Sequence, residues 1–182
     1  MKVINTNIED LLIFKPRLFN DNRGYFSEVF NQKKIKSLIG NIDFVQDNES
    51  RSFKGTVRGL HFQKPPFAQS KLVRCVQGEI LDIAVDLRKD SKDFSKVSTN
   101  ILSDVNRLQI FIPKGFAHGF IALSDFALVS YKVDNYYHPK HEGGIFWNDP
   151  NLKIDYKINI DNIIISKKDK NLPTLSKLSN PF

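Results

Sequence analysis

The sequence predicts an all-β fold, a closed barrel or jelly roll with short peripheral helices, on three observations. Apolar residues alternate at period two, the signature of a half-buried strand. Leu81, Ile83, Val85 and Leu87 alternate with Asp82, Ala84 and Asp86, and Leu108, Ile110 and Ile112 alternate with Arg107 and Gln109. Turn-forming clusters separate such runs at short intervals: Lys64-Pro65-Pro66, Gln77-Gly78, Asp104-Val105-Asn106, Pro113-Lys114-Gly115 and Ser124-Asp125. Helical signals are few. The chain has 182 residues and a mass of 21.0 kDa, which fits one domain spanning 1–182.

Strands are predicted at 56–63, 71–76, 80–87, 119–123 and 127–133, all rich in Val, Ile, Phe and Tyr. A helix is predicted at 31–39, where Ile35, Leu38 and Ile39 share one side and Gly40 stops the chain. A second begins near Ser166, where Ser-Lys-Lys-Asp forms a capping-box pattern with Asp169 at its third position, and ends before Pro173. A double-sheet or barrel fold encloses a pocket. Polar side chains aimed into it need partners, since an unpaired buried group costs about 1–3 kcal/mol.

Composition narrows the function. Hydrophobic residues are 41% and charged residues 26%, near the globular average, and no stretch offers the roughly 20 apolar residues of a membrane span. Glu9 and Asp10 interrupt the first apolar stretch, so no signal peptide is expected, and the lone Cys75 suits a reducing, cytoplasmic setting. The net charge of +7 points to an anionic partner. Its lysines are scattered and no zinc-finger, KH or RRM signature occurs, so a small phosphorylated ligand is expected rather than nucleic acid.

Four segments place polar groups where a core strand would not want them. They are Arg58-Gly59-Leu60-His61-Phe62-Gln63 with Lys71-Leu72-Val73-Arg74, Ile112-Pro113-Lys114-Gly115-Phe116-Ala117-His118-Gly119-Phe120, Tyr131-Lys132 with Asn135-Tyr136-Tyr137, and Phe19-Asn20-Asp21-Asn22-Arg23-Gly24-Tyr25-Phe26 with Glu28. The spacing of Pro113, Gly115 and His118 is similar to the second motif of cupin barrels. Metal-binding cupins carry a second His where this chain has Gln63, and a neutral amide is a poor ligand for a transition metal. No metal is therefore expected, and His138 and His141, beside Pro139 and Lys140, read as surface-loop residues.

The ordered set goes further. Arg-Gly-Leu-His-Phe-Gln, Pro-Pro, Lys-Leu-Val-Arg, Asp-Leu-Arg, Ile-Pro-Lys-Gly-Phe-Ala-His-Gly-Phe, Tyr-Lys, Tyr-Tyr and Trp-Asn-Asp-Pro resemble, in order from about Phe19 to Pro173, the dTDP-4-dehydrorhamnose 3,5-epimerase family. That resemblance implies a cupin-like jelly roll and cofactor-independent inversion of a nucleoside-diphosphate 4-keto sugar. The keto group acidifies its neighbouring carbons, so inversion needs a base on one face, an acid on the other and stabilisation of the enolate. By resemblance, His61 is the base, Asp169 the carboxylate that orients it, Lys71 the cation beside the enolate, and Tyr131 the acid. Unperturbed phenol and imidazole pKa values of about 10 and about 6.5 give both groups suitable starting states.

The resemblance also assigns Arg23 and Arg58 to the diphosphate, Gln46, Asn48 and Glu28 to the nucleotide or sugar, and Tyr136 to base stacking. Glu142, Lys168 and His118 match further substrate-binding positions. The family is a homodimer in which an N-terminal strand crosses over, so Arg23 and Glu28 are expected to serve the partner's site. Alone, His61 reads as a satisfied core histidine and Tyr131 as a packing residue beside Val129 and Val133; the set as a whole points to chemistry. Strict alternation would put Arg58 and His61 on opposite faces, so a bend is expected near Gly59. Ser70 before the lysine, Asn20 and Asn22 around Arg23, and Tyr156-Lys157 depart from the family pattern and leave the sugar open. The alternatives are a GDP-linked 4-keto-6-deoxyheptose substrate, inversion at C3 only, a 3,4-ketoisomerase, or a non-catalytic sugar-nucleotide binder.

Overall fold

Two sheets face one another across the interior of the computed structural model, which describes residues 1–182. In chain order the elements are β1 (Lys2–Asn5), β2 (Leu12–Lys15), β3 (Phe19–Asp21), β4 (Gly24–Phe26), α1 (Gln32–Ile39), β5 (Gln46–Phe53), β6 (Thr56–Gln63), β7 (Lys71–Gln77), β8 (Glu79–Asp86), β9 (Val97–Ser103), β10 (Gln109–Ile112), β11 (Phe116–Ala122), β12 (Phe126–Val133), β13 (Glu142–Gly144), β14 (Ile164–Ile165) and α2 (Lys167–Lys170). One sheet runs β1-β2-β10-β7-β12-β5. The other runs β13-β6-β11-β8-β9, with β14 parallel to β6, while β3 and β4 form a separate hairpin. This is the all-β jelly roll that the alternation predicts.

Both helices stand where their caps predict. The Asn31 side chain accepts the Lys34 N–H and Gly40 closes α1, while the Ser166 side chain accepts the Asp169 N–H at the start of α2. β6 keeps its predicted limits, and β11 starts at Phe116, ahead of the predicted Gly119. β8 corrects the expectation of a half-buried strand. Leu81, Ile83 and Val85 pack into one core with Trp147, Leu152 and Tyr156, Ile80 and Ala84 pack into the core between the sheets, and Asp82 and Asp86 are buried too. Its polar side is covered because β8 lies between β11 and β9, with the opposite sheet over it. Asp86 is satisfied by the Arg88 guanidinium at 2.8 Å and the Ser91 hydroxyl at 2.7 Å.

The bend near Gly59 takes the form of a β-bulge. Arg58 lies opposite Phe120 and His61 opposite His118, so Gly59 and Leu60 together face the single residue Gly119. Arg58 and His61 therefore point into the same interior despite their odd spacing. Only glycine fits here: Gly59 has φ +119°, and a Cβ on it would lie 2.6 Å from the Gly119 Cα.

Candidate active site

Between the sheets lies a cavity of about 520 Å³. The second sheet contributes Arg58, His61, His118 and Phe120 to its walls, and the first contributes Ser50, Lys71, Val129 and Tyr131. Ile164, Ile165, Ser166, Lys168 and Asp169 cover one side, delivered there by the pairing of β14 with β6. His61 and Tyr131 thus enter one compartment from opposite sheets.

His61 Nε2 lies 2.7 Å from Asp169 Oδ1, with the carboxylate 5% exposed and the imidazole 26% exposed. With Nε2–H donating to Asp169, the basic lone pair of the ring is on Nδ1. Burial pushes the Asp169 carboxyl up, but the hydrogen bond and charge of His61, with the Gly59 N–H, bring it below the usual carboxylate range. In a full capping box this carboxylate would turn back to its own helix N-terminus. Here Ser166 supplies its half of the box, accepting the Asp169 N–H at 3.1 Å, and Asp169 is spent on His61.

Lys71 donates to the His61 carbonyl at 3.3 Å. Burial brings its ammonium down to about 8, against the pull of Asp82 and Glu142. Tyr131 is half-buried; burial, with Glu142, pushes its phenol above the ordinary value although Arg58 pulls the other way. Arg58 is aimed by the Ser52 hydroxyl, to which Nε donates at 2.9 Å, and by the Arg51 carbonyl at 3.2 Å. A base with its orienting carboxylate, a cation and a phenol converging on one cavity is equipment for moving a proton beside a carbonyl.

The sequence model of the dTDP-4-dehydrorhamnose 3,5-epimerase family matches residues 5–177. The Escherichia coli (strain K12) dTDP-4-dehydrorhamnose 3,5-epimerase is 51% identical over 98% of this chain and 96% of its own. The chain belongs to the dTDP-4-dehydrorhamnose 3,5-epimerase family. Among solved structures, the Elizabethkingia anophelis epimerase superposes with a TM-score of 0.94 at 47% identity, covering 99% of this chain and 98% of that one. A Legionella pneumophila epimerase in complex with dTDP-4-keto-L-rhamnose superposes with a TM-score of 0.93 at 44% identity, covering 97% and 94%.

The remaining predicted residues of this epimerase fall into three groups. His118 and Lys168 line the cavity; Lys168 donates to Glu142 at 2.7 Å, and Glu142 also accepts from the Tyr137 hydroxyl at 2.9 Å. Gln46 and Asn48 stand on β5 opposite Val133 and Tyr131, joined by a 2.7 Å hydrogen bond, beside the cavity wall rather than in it. Arg23, Glu28 and Tyr136 lie outside the cavity of their own chain. Arg23 is 85% exposed on the β3–β4 hairpin and pairs with Asp21, Glu28 pairs with Lys34, and Tyr136 is 65% exposed. The hairpin is the physical reason for Arg23, because its strands pair only with each other, and Glu28 follows it in the segment that leads into α1.

His138 and His141 depart from the surface-loop expectation. They form a half-buried aromatic cluster with Phe67, whose ring stacks on His138 at 4.1 Å. Gln63 staples the same loop, donating to the Phe67 and Tyr136 carbonyls and accepting the His138 N–H at 2.6 Å. Sequence reasoning missed Ser50, on a strand with no apolar alternation, and Asp82, whose signal was a carboxylate inside an apolar strand. Asp82 Oδ2 lies 2.7 Å from His118 Nε2.

Proposed function

We propose that this protein is a cofactor-independent 3,5-epimerase converting dTDP-4-dehydro-6-deoxyglucose to dTDP-4-dehydrorhamnose, with residues 1–182 acting as one domain. The carrying observation is the His61–Asp169 pair and Tyr131 on opposite walls of one cavity, with Lys71 beside them. His61 Nδ1 takes the hydrogen from the carbon beside the 4-keto group as a proton, and the electron pair passes to the carbonyl oxygen as an enolate. The Lys71 ammonium stabilises that oxyanion, a differential interaction that lowers the barrier. Tyr131 then gives its hydroxyl proton to the opposite face of the same carbon, solvent restores the phenol, and His61 releases the proton it took to solvent. The same cycle at the second carbon completes the double inversion.

Arg58 grips the diphosphate, and bidentate pairing explains the choice of Arg. In a cytoplasmic homodimer, the exposed hairpin would bring Arg23 and Glu28 to the neighbouring site, with Gln46, Asn48, Tyr136, Glu142, Lys168 and His118 completing the rim and floor. Phe19, Tyr25 and Phe26 on that hairpin are exposed, an apolar surface suited to a second copy. Such a product feeds bacterial surface polysaccharide.

Incubation with dTDP- and GDP-linked 4-keto-6-deoxy sugars in heavy water, read by mass and NMR, tests the reading. Deuterium at both C3 and C5 of the dTDP-linked sugar is expected. Exchange only in the GDP-linked arm, exchange at C3 alone, migration of the keto group, or no exchange would each overturn it.

A further inference from the structure

Beneath the cavity floor sits a carboxylate that the reaction does not use. Asp82 is fully buried and absent from the cavity walls, so it cannot touch a substrate. One of its oxygens is bonded to His118 at 2.7 Å, and the other, Oδ1, has no hydrogen-bond partner. A buried carboxylate half satisfied in this way is costly unless a charge compensates it. Asp82 stands opposite Phe120 in the β8–β11 register, on the face that also carries His118 and His61, so it points towards the interior that Lys71 enters from the other sheet.

We propose that Asp82, fixed by His118, is a positioning residue that holds the Lys71 ammonium in its charged form beneath the substrate's carbonyl oxygen. This rests on the assignment of Lys71 to the enolate. The ionisable groups around Lys71 are Arg58 and His61 on β6, Asp82 on β8, His118 on β11, Tyr131 on β12, Glu142 on β13, and Lys168 and Asp169 on α2. Of these, Asp82 opposes the effect of burial on Lys71 most strongly, followed by Glu142. Burial keeps His118 below the usual imidazole range, so at neutral pH it is an uncharged donor. It therefore orients the carboxylate without cancelling its charge, and that charge is left for Lys71. A neutral amine could not stabilise an enolate electrostatically, so the dyad acts on catalysis through the lysine.

The test follows the Lys71 side-chain carbon next to nitrogen and the Asp82 carboxyl carbon by NMR, alongside the pH profile of kcat. In the unmodified enzyme the Lys71 resonance is expected to titrate at about pH 8, with the Asp82 resonance responding at the same midpoint. In Asp82→Asn the Lys71 midpoint and the alkaline limb of kcat are both expected to fall by about 1–2 pH units. Burial holds the Tyr131 phenol above its ordinary value, so it is expected to titrate above that limb. An Asp82 resonance silent at the Lys71 midpoint, or a midpoint unmoved in Asp82→Asn, would overturn the proposal. If the variant does not fold, the coupled titration of the unmodified enzyme decides. Neither NMR measurement needs substrate, so coupling without epimerase activity would defeat the functional reading and leave the dyad standing.

Discussion

In the proposed mechanism one proton leaves to His61 and another arrives from Tyr131, and these two side chains stand on opposite walls of the cavity. His61→Asn should reduce turnover by about 10²- to 10⁴-fold while leaving dTDP affinity within a few-fold, because Asn keeps a polar group of similar size without a basic nitrogen. Equilibrium titration with dTDP and steady-state rates measure both. Tyr131→Phe should behave differently. The base and the enolate stabiliser remain, so deuterium should still wash into the starting sugar with retained configuration, while inversion falls by a comparable factor. Equal loss of exchange and inversion in Tyr131→Phe would remove the tyrosine from the acid role. The roles of these side chains came from an ordered resemblance, not from their local patterns. In isolation both look like packing residues, and the contact between His61 and Asp169 spans 108 positions that no local pattern could bridge.

At the scale of elements, the bulge between β6 and β11 sets the site. It turns an odd spacing into a shared face, so Arg58 and His61 reach the same cavity. Gly59→Ala places a methyl group against backbone at a positive φ, where nothing flexible can give way. The variant should lose more than about 1 kcal/mol of stability, with turnover falling at least tenfold as His61 is re-aimed. Urea midpoints and rates check this, and a variant matching the parent in both would show the bulge to be dispensable. The bend was legible because two demanded side chains broke the period of a strand. β5 was not legible, for a related reason. Its inward positions are Gln46, Asn48, Ser50 and Ser52, polar because they face the cavity side, so the alternation that marks a strand carries no hydrophobic contrast. β8 misled in the opposite direction: its polar residues lie inside, held by His118 and Arg88, so a strand buried on both faces carried the alternation of a half-buried one.

For the whole molecule, the two larger of three apolar cores divide the labour, while a smaller one seats α1 on the first sheet. One of the larger two fills the space between the sheets below the cavity, and the other packs the outer face of the second sheet against the segment from Ile145 to Phe182. The hairpin stands apart from both, and its Arg23 is expected to act across a dimer. Arg23→Ala and His61→Asn, each nearly inactive alone, should regain activity when co-expressed, because a mixed dimer has one site with its own His61 and a partner's Arg23. Absence of recovery in dimers shown by mass to be mixed would place Arg23 outside the neighbouring site.

The β14–α2 strap has a consequence for how the enzyme comes into being. Asp169 meets His61 only through that late stretch, long after the strands that bear His61, Lys71 and Tyr131 have been translated. Until that stretch is made, the imidazole lacks the anion that aims it. That strap therefore arms the imidazole as it docks beside β6, joining the two ends of the chain's chemistry in one contact.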